Sequence, residues 1–152
     1  MNFRSQTVRD QLHNQVLQNA LASRARYTTL RRQLIDYMLD SGRPLSIKDL
    51  QIQFKRTPQS SLYRNIETLE SWGVISRVSN GSQTHFFEVA EQLAGNHHHH
   101  MVCVRCGEIR EIKVSDELER VLLADLQLAA KLEAFELKKH QLDALGICNK
   151  CA

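Results

Sequence analysis

The sequence predicts an α+β protein in which an N-terminal winged-helix domain is followed by a small α/β domain. Two observations support this fold class. Three short amphipathic segments precede two β-type segments in the first part of the chain, the element order of a winged helix. The last third carries paired cysteines and a histidine run, which indicates a separate domain built around metal.

The charges of the chain divide in the same way. Residues 1–80 contain 12 Lys and Arg against 6 Asp and Glu, whereas residues 81–152 contain 8 against 11. Six of the seven histidines and all four cysteines lie in the second, acidic part. A basic first part and a ligand-rich second part predict two domains with different partners.

Four segments follow from this division. We expect an N-terminal arm or helix over residues 1–23, a winged-helix DNA-binding domain over 24–89, a hinge over 90–96, and a metal-binding dimerisation domain over 97–152. The N-terminus lacks the apolar core of a signal peptide, and no apolar run reaches the ~18 residues that a membrane helix needs. A cytoplasmic protein without membrane contact is therefore expected.

The helices of the first part are predicted from apolar spacing and capping residues. Residues 3–24 are polar and weakly periodic, which favours an exposed helix or arm. A helix over 29–40 ends at Gly42, and Ser46 is expected to cap a short helix over 47–54. Thr57 and Pro58 then form a strong start signal, a capping hydroxyl followed by proline at the first helical position.

The third helix is the predicted recognition helix. Leu62, Ile66 and Leu69 form its buried face, and Trp72-Gly73 ends it. Strands over 74–78 and 83–89, joined by a tight turn at Asn80-Gly81, would form the wing. The exposed face of the third helix is sized for the major groove of double-stranded DNA. The candidate DNA-binding residues are Gln59, Ser60, Ser61, Tyr63 and Arg64, with Arg31 and Arg77 as phosphate contacts.

The second part is predicted to alternate strands with one long helix. Strands are expected over 101–104 and 108–114, and a last strand over 135–145. Ser115-Asp116-Glu117 opens a helix that extends to about residue 132, with acidic residues in its first turn. The strands are candidates for pairing across a dimer.

Two cysteine pairs point to a structural Zn²⁺ site. Cys103-x-x-Cys106 and Cys148-x-x-Cys151 can supply four thiolates to one tetrahedral ion. The 41 residues between the pairs are too many for a local zinc finger, so folding must bring the second pair beside the first. In an oxidising compartment the same residues would instead suggest two disulfides, an alternative that the sequence leaves open.

The histidine run indicates two further sites. In an extended chain alternate side chains face opposite ways, so His97 and His99 would face one side and His98 and His100 the other. Two separate metal ions follow naturally from this alternation. A lone histidine such as His85 is more often a structural residue than a metal ligand, so His85 is only a secondary candidate ligand.

With these motifs in place, the chain resembles the ferric uptake regulator (Fur) family of bacterial metal-sensing repressors across residues 24–152. The resemblance is carried by Ser61-Leu62-Tyr63-Arg64-Asn65, Phe87-Glu88, the segment from His97 to Cys103, Cys106-Gly107, His140, Gly146 and the final cysteine pair. It implies a homodimer that binds a palindromic operator when metal-loaded and blocks transcription of metal-uptake or stress genes. The all-histidine run is similar to that of the zinc uptake regulators within the family.

The resemblance also assigns ligands. The structural zinc falls on the four cysteines. The hinge sensing site falls on Glu88, His98 and His100, with Glu111 or His85 as a further candidate. The second dimerisation-domain site falls on His97, His99, Glu119 and His140. One departure is Pro44, which stands where many members have a hinge histidine.

The expected function is that of a metal-responsive repressor of metal uptake and homeostasis genes, with no enzymatic activity. Besides the structural Zn²⁺, the second metal is expected to be Zn²⁺ or Fe²⁺, with Mn²⁺ and Ni²⁺ as alternatives. Three other functions are weighed: a peroxide-sensing repressor of the same family, a zinc storage or chaperone protein, and a zinc hydrolase. The hydrolase is disfavoured because no H-E-x-x-H pattern is present.

Overall fold

The computed structural model describes residues 6–79, 85–94 and 97–152, and the chain divides into two compact units, Met1–His97 and His98–Ala152. The mixed helix and sheet content confirms the α+β prediction. The predicted turn at Asn80-Gly81 and residues 1–5, 83–84 and 95–96 of the predicted segments lie outside the described residues. None of the described helices combines the length and hydrophobicity that crossing a membrane requires.

The first unit is a winged helix with an additional N-terminal helix. Its elements are α1 (Gln6–Ala22), α2 (Thr29–Ser41), β1 (Leu45–Ser46), α3 (Ile47–Gln53), α4 (Gln59–Ser71), β2 (Ile75–Ser79), β3 (His85–Val89) and α5 (Glu91–Ala94). The strands form an antiparallel sheet in the order β1-β3-β2. The short strand β1 was not predicted, because two residues carry no readable alternation.

Capping residues set the helix boundaries of this unit. Gly42 ends α2 with a left-handed φ of 58°, which glycine adopts without strain. Ser46 caps α3 in a reciprocal capping box with Asp49. The prediction for Thr57 is wrong: Pro58 occupies the cap position of α4 and no side chain bonds to the first turn there. The carbonyl of Pro58 accepts the first backbone hydrogen bonds instead, from Ser61 and Leu62.

Helix α1 corrects the expectation of an exposed arm. The helix forms, but Leu12, Val16 and Ala20 are buried in the same core as Leu34, Leu50 and the other apolar residues of the winged helix. Their spacing of four residues places them on one stripe, although most of the other residues of α1 are polar. Leu62, Ile66 and Leu69 of α4 are buried in this core as predicted.

The second unit places one long helix beside a three-stranded sheet. Its elements are β4 (His99–Cys103), β5 (Ile109–Ile112), α6 (Asp116–Leu132) and β6 (Asp143–Gly146). In the strand order β5-β4-β6, β4 pairs antiparallel with β5 and parallel with β6. The predicted last strand over 135–145 is too long: residues 135–142 form no strand, and only Asp143–Gly146 pair with β4. The predicted hinge over 90–96 contains the four-residue helix α5.

Candidate metal centres and nucleic-acid interface

The four cysteines converge at one end of the second unit. Cys103 ends β4, Cys106 follows in the adjoining turn, and Cys148 and Cys151 lie just after β6. Parallel pairing of Cys103 with Gly146 brings the two cysteine pairs together. All four Sγ atoms lie within 4.8 Å of one another, and all four cysteines are free thiols. This arrangement speaks against the disulfide alternative.

The spacing of the sulfurs fits a tetrahedral ion. Zn–S bonds of about 2.3 Å place the sulfurs of a tetrahedral site about 3.8 Å apart. The Sγ atoms of Cys106 and Cys148 are 3.7 Å apart. Four soft sulfur donors at this separation match the chemistry of a structural zinc site, and the residues present therefore fit Zn²⁺.

Without a bound cation, the cysteine thiols of this cluster differ in pKa. Backbone N–H groups of Cys106 and Cys148 lower the pKa of Cys103 to about 6, so this thiol is largely ionised at neutral pH. Hydrogen bonds with Cys106 and Cys148 raise the pKa of Cys151 to about 12. Four sulfurs this close cannot all carry charge unless a bound dication neutralises them.

A second cluster lies at the start of β4, at His99. The Nε2 atoms of His99 and His140 are each 2.8 Å from a different carboxylate oxygen of Glu119, a residue of the first turn of α6. The two imidazole rings are 5.7 Å apart, and His99 is only 1% exposed. Metal–ligand bonds of about 2.1 Å place neighbouring ligand atoms roughly 3.0–3.4 Å apart, and the 2.8 Å contacts are only slightly shorter than this range. Two imidazoles and a carboxylate this close fit a borderline metal ion such as Zn²⁺ or Fe²⁺.

His98 and His100 lie together in the same unit. Their rings meet edge to face, with centroids 5.1 Å apart. The Nδ1 atom of His100 is 3.4 Å from Oδ1 of Asp143, the residue opposite it on β6. On the other side of β4, Glu111 stands opposite His100 and is exposed.

The remaining predicted ligands belong to the first unit. Glu88 is buried on β3, and His85 is exposed at the start of the same strand. His97 is the last residue of the first unit, where its Nδ1 lies 3.2 Å from Oε2 of Glu91. Pro44 lies immediately before β1, and its side chain has no atom that can bind a metal ion.

The polar face of α4 forms the candidate nucleic-acid interface. Gln59, Ser60, Tyr63 and Arg64 are exposed and Ser61 is half-buried, while the opposite face of the helix lies in the core. Tyr63 is 44% exposed, more than an aromatic ring in a core would be. Amide, hydroxyl and guanidinium groups on one accessible helix face match the hydrogen-bonding groups of base edges and phosphates.

The two arginines predicted as phosphate contacts both contact other residues of the first unit, Arg31 as a half-buried side chain and Arg77 as one that is 42% exposed. Arg31 donates hydrogen bonds to Asn65 and Thr68 of α4, and its guanidinium lies 4.8 Å above the ring of Trp72. Burial lowers the pKa of Arg31. Arg77 forms an ion pair of 2.8 Å with Glu70. Both side chains hold α4 in place.

Two polar contacts were missed by the sequence reasoning. Asp143 appeared in a predicted strand without chemistry, and only strand register places it beside His100. His13 is 3% exposed and lies between Tyr27 and Asp36, where it joins α1 to α2. No local motif marks a histidine of this kind.

Comparison with known proteins decides the family. The model of the ferric uptake regulator family matches residues 22–145, which include most of both units. The chain belongs to the ferric uptake regulator family. It is therefore a metal-sensing transcriptional regulator, and regulators of this family bind DNA and are typically dimeric. Because family members are regulators and not enzymes, membership is consistent with the expected lack of catalysis.

Individual relatives extend this comparison over the whole chain. The ferric uptake regulation protein of Bacillus subtilis is 27% identical over 157 residues, covering 99% of this chain and 96% of that protein. The peroxide operon regulator of the same bacterium is 25% identical over 133 residues and covers 84% of each chain. The fold is similar to the ferric uptake regulator of Helicobacter pylori, with a TM-score of 0.73, 22% identity, and coverage of 94% of this chain and 93% of that one.

Proposed function

We propose that this ferric uptake regulator family member is a metal-responsive repressor that binds a palindromic operator as a metal-loaded homodimer and controls metal uptake and homeostasis genes. The observation that carries the proposal is the single family match across residues 22–145, which joins a winged helix to a ligand-rich unit. A DNA-reading surface and metal-ion ligands in one chain are the two parts that such a regulator needs.

DNA binding is assigned to α4. Gln59, Ser60, Ser61 and Tyr63 present groups that suit base edges and sugar-phosphate, and Arg64 adds a cation on the same exposed face. Two such helices in a symmetric dimer would read two half-sites of one operator, which is why the operator is expected to be palindromic. The net positive charge of residues 1–80, with 12 basic against 6 acidic side chains, favours approach to the phosphate backbone.

Three metal-binding roles are assigned. Cys103, Cys106, Cys148 and Cys151 hold structural Zn²⁺. Glu88, His98 and His100 form the regulatory hinge site, with Glu111 or His85 as a further ligand, and His97, His99, Glu119 and His140 form the second site of the dimerisation domain. A bound ion would supply a positive centre that ties these side chains together and favours the DNA-competent arrangement of the protein. Imidazole must be neutral to coordinate, so protons compete with the metal ion and sensing should weaken as the pH falls.

The donor types support a borderline divalent ion as the sensing metal. Imidazole nitrogen with one carboxylate suits Zn²⁺ or Fe²⁺, and Mn²⁺ or Ni²⁺ can use the same atoms. The run of four histidines without an acidic residue among them favours Zn²⁺.

The dimer is supported by the surface of the second unit. None of the residues of α6 is buried, although several of them are large and apolar. The side chains that are at least 50% exposed include Leu118, Val121, Leu128 and Leu132. Leu145 of β6, the edge strand, is 67% exposed. An apolar surface of this kind marks a protein interface. Leu145→Glu should therefore give monomers in sedimentation analysis, while the matched Leu21→Glu on α1, where Leu21 is 59% exposed, should remain dimeric.

Operator binding under metal control tests the function. The labile metal is removed with a mild chelator that leaves the cysteine-bound zinc in place, which elemental analysis verifies. Operator affinity is then measured by fluorescence anisotropy during titration with Zn²⁺, Fe²⁺, Mn²⁺ or Ni²⁺. We expect affinity to return with one or two of these ions. An operator affinity that stays the same after removal of the labile metal contradicts the proposal.

Peroxide sensing is the second candidate, because the peroxide operon regulator of B. subtilis aligns over 84% of the chain. In this case an iron-loaded protein exposed to hydrogen peroxide should gain 16 Da, the mass of one oxygen atom, on a ligand histidine. Peptide mass spectrometry of the segment that contains His97 to His100 distinguishes the two functions, since a pure metal sensor keeps its mass.

A further inference from the structure

The carboxylate of Asp143 lies beside His100 in a position that no assigned role uses. Strands β4 and β6 run parallel, with His100 opposite Asp143. Residues opposite each other on adjacent strands project from the same face of the sheet, and here Oδ1 of Asp143 comes within 3.4 Å of Nδ1 of His100, a close polar contact whose geometry falls short of a hydrogen bond. The imidazole is 3% exposed, so water has little access to this nitrogen.

The carboxylate is itself held in place. Nε2 of Gln141 donates a hydrogen bond of 2.7 Å to the second oxygen of Asp143, Oδ2. The backbone N–H of His100 also bonds to the carbonyl of Leu142, at 3.3 Å, which fixes the strand register beside the pair. Both partners are therefore positioned by their surroundings, and the carboxylate cannot swing away without losing the Gln141 contact.

Geometry separates Asp143 from the ligand carboxylates. In the His99 cluster, the two oxygens of Glu119 each lie 2.8 Å from an imidazole Nε2, the arrangement of groups that share one ion. Asp143 approaches His100 through Nδ1, the nitrogen nearer the backbone, at a longer distance of 3.4 Å. Of the two acidic residues opposite His100, Glu111 is exposed, whereas the side chain of Asp143 is 27% exposed.

We propose that Asp143 is a positioning residue for the regulatory site: its carboxylate holds the proton of His100 on Nδ1 and so leaves the Nε2 lone pair available to metal. This inference rests on the proposed role of His100 as a regulatory ligand. A carboxylate behind a ligating imidazole fixes the tautomer and ring orientation and makes the ligand nitrogen more basic. Asp143 thereby acts through His100 and does not touch the ion.

Two substitutions of Asp143 test its effect on the affinity for the labile metal. Asp143→Ala removes the accepting oxygen and should raise the dissociation constant of the labile metal about 10–100-fold, the usual cost of losing such a partner. Asp143→Asn keeps an oxygen that can accept from Nδ1–H but removes the negative charge, so its effect should be smaller. Asp125→Asn, an exposed aspartate of α6, is the matched control and should leave the affinity within about twofold.

The decisive measurement needs no bound labile metal. In the protein stripped of its labile ion, ¹⁵N-resolved NMR of the imidazole reports which nitrogen of His100 carries the proton. We expect Nδ1–H in the wild type and in Asp143→Asn, and a shift to Nε2–H in Asp143→Ala. Retention of one zinc per chain on the cysteines shows that each variant keeps its fold.

The outcomes separate this inference from the proposed function. An unchanged tautomer in Asp143→Ala, or an unchanged metal affinity, overturns the positioning role whatever the protein does with DNA. If the tautomer and affinity change but metal does not affect operator binding, the proposed function fails while the role of Asp143 stands.

Discussion

Two arginines of the first unit show how surroundings decide the role of a cation. Arg31 reaches Asn65, Thr68 and the ring of Trp72, so it connects α2 to α4 and to the residue that ends it. Arg64 lies on the exposed face of α4. The sequence alone made both residues candidates for DNA contact, because it records a charge but not what the charge touches.

Arg31→Ala should destabilise the first unit. The substitution leaves the amide and hydroxyl partners without their donor and uncovers Trp72, with an expected loss of about 2 kcal/mol in the free energy of unfolding. Urea denaturation followed by Trp72 fluorescence measures it. Arg32→Ala serves as the control, since Arg32 is 49% exposed and lies 3.7 Å from Asp10 in a surface pair. Equal losses from the two variants would mean that Arg31 has no special role.

Arg64→Ala should weaken DNA binding without affecting stability. Loss of one phosphate contact lowers affinity for all sequences and reduces the slope of log K against log salt concentration by about 1. Anisotropy titrations at several salt concentrations measure both quantities. Arg120→Ala on α6, where Arg120 is 73% exposed, is the control. A slope that does not change would place Arg64 outside the DNA interface or at a base edge.

At the scale of elements, α1 is the clearest difference between expectation and structure. Its polar composition favours an exposed arm, but Leu12, Val16 and Ala20 reach the core, and the buried His13 bonds to Asp36 of α2. Arg9 adds ion pairs to Asp36 and Asp40. The helix is thus part of the first unit and not an appendage to it.

Leu12→Ala tests this packing. A buried leucine cut back to alanine leaves a cavity, which costs about 2–5 kcal/mol in the free energy of unfolding. Leu17→Ala, five residues further along the same helix and 40% exposed, should cost less than about 0.5 kcal/mol. Chemical denaturation of the two variants gives the comparison. If α1 were a loose arm, both substitutions would have the same small effect.

The predictions from sequence succeeded where short-range chemistry decides. The cap at Ser46, the stop at Gly42 and the buried stripe of α4 follow from residues within one or two turns. Contacts set by tertiary register could not be foreseen. The pairing of His100 with Asp143 depends on how β6 aligns beside β4 across 42 intervening residues, and no local pattern records that alignment.

At the scale of the molecule, the two units differ in how their folds are stabilised. Most of the buried apolar side chains belong to the first unit. In His98–Ala152, all of which the structure describes, the buried hydrophobic residues are Val102, Cys103 and Ile109. So small a core cannot hold a unit of this size alone. The ligand clusters and the exposed apolar surface are therefore expected to provide the remaining stability, through bound metal and a second copy of the chain.

Removal of zinc from the cysteines should accordingly unfold the second unit alone. A strong chelator under reducing conditions is expected to make the amides of β4 and β6 exchange rapidly, while those of α2 and α4 remain protected. Hydrogen exchange with mass spectrometry measures both regions in one experiment. Cys148→Ser should reproduce the effect, because it removes one of the four sulfurs. Protection that persists in β4 after verified zinc loss would show that the unit folds without metal.

Strand β4 begins at His99, and its pairing with both neighbours holds the register through Cys103. A run of identical codons in a gene is prone to replication slippage, which adds or removes one repeat unit. Counted back from the anchored cysteine, one additional histidine would leave imidazoles at all four existing positions and only lengthen the polypeptide before them. A gain in the repeat is thus silent for the ligand sets, whereas the loss of one histidine brings Asn96 into the position of His97.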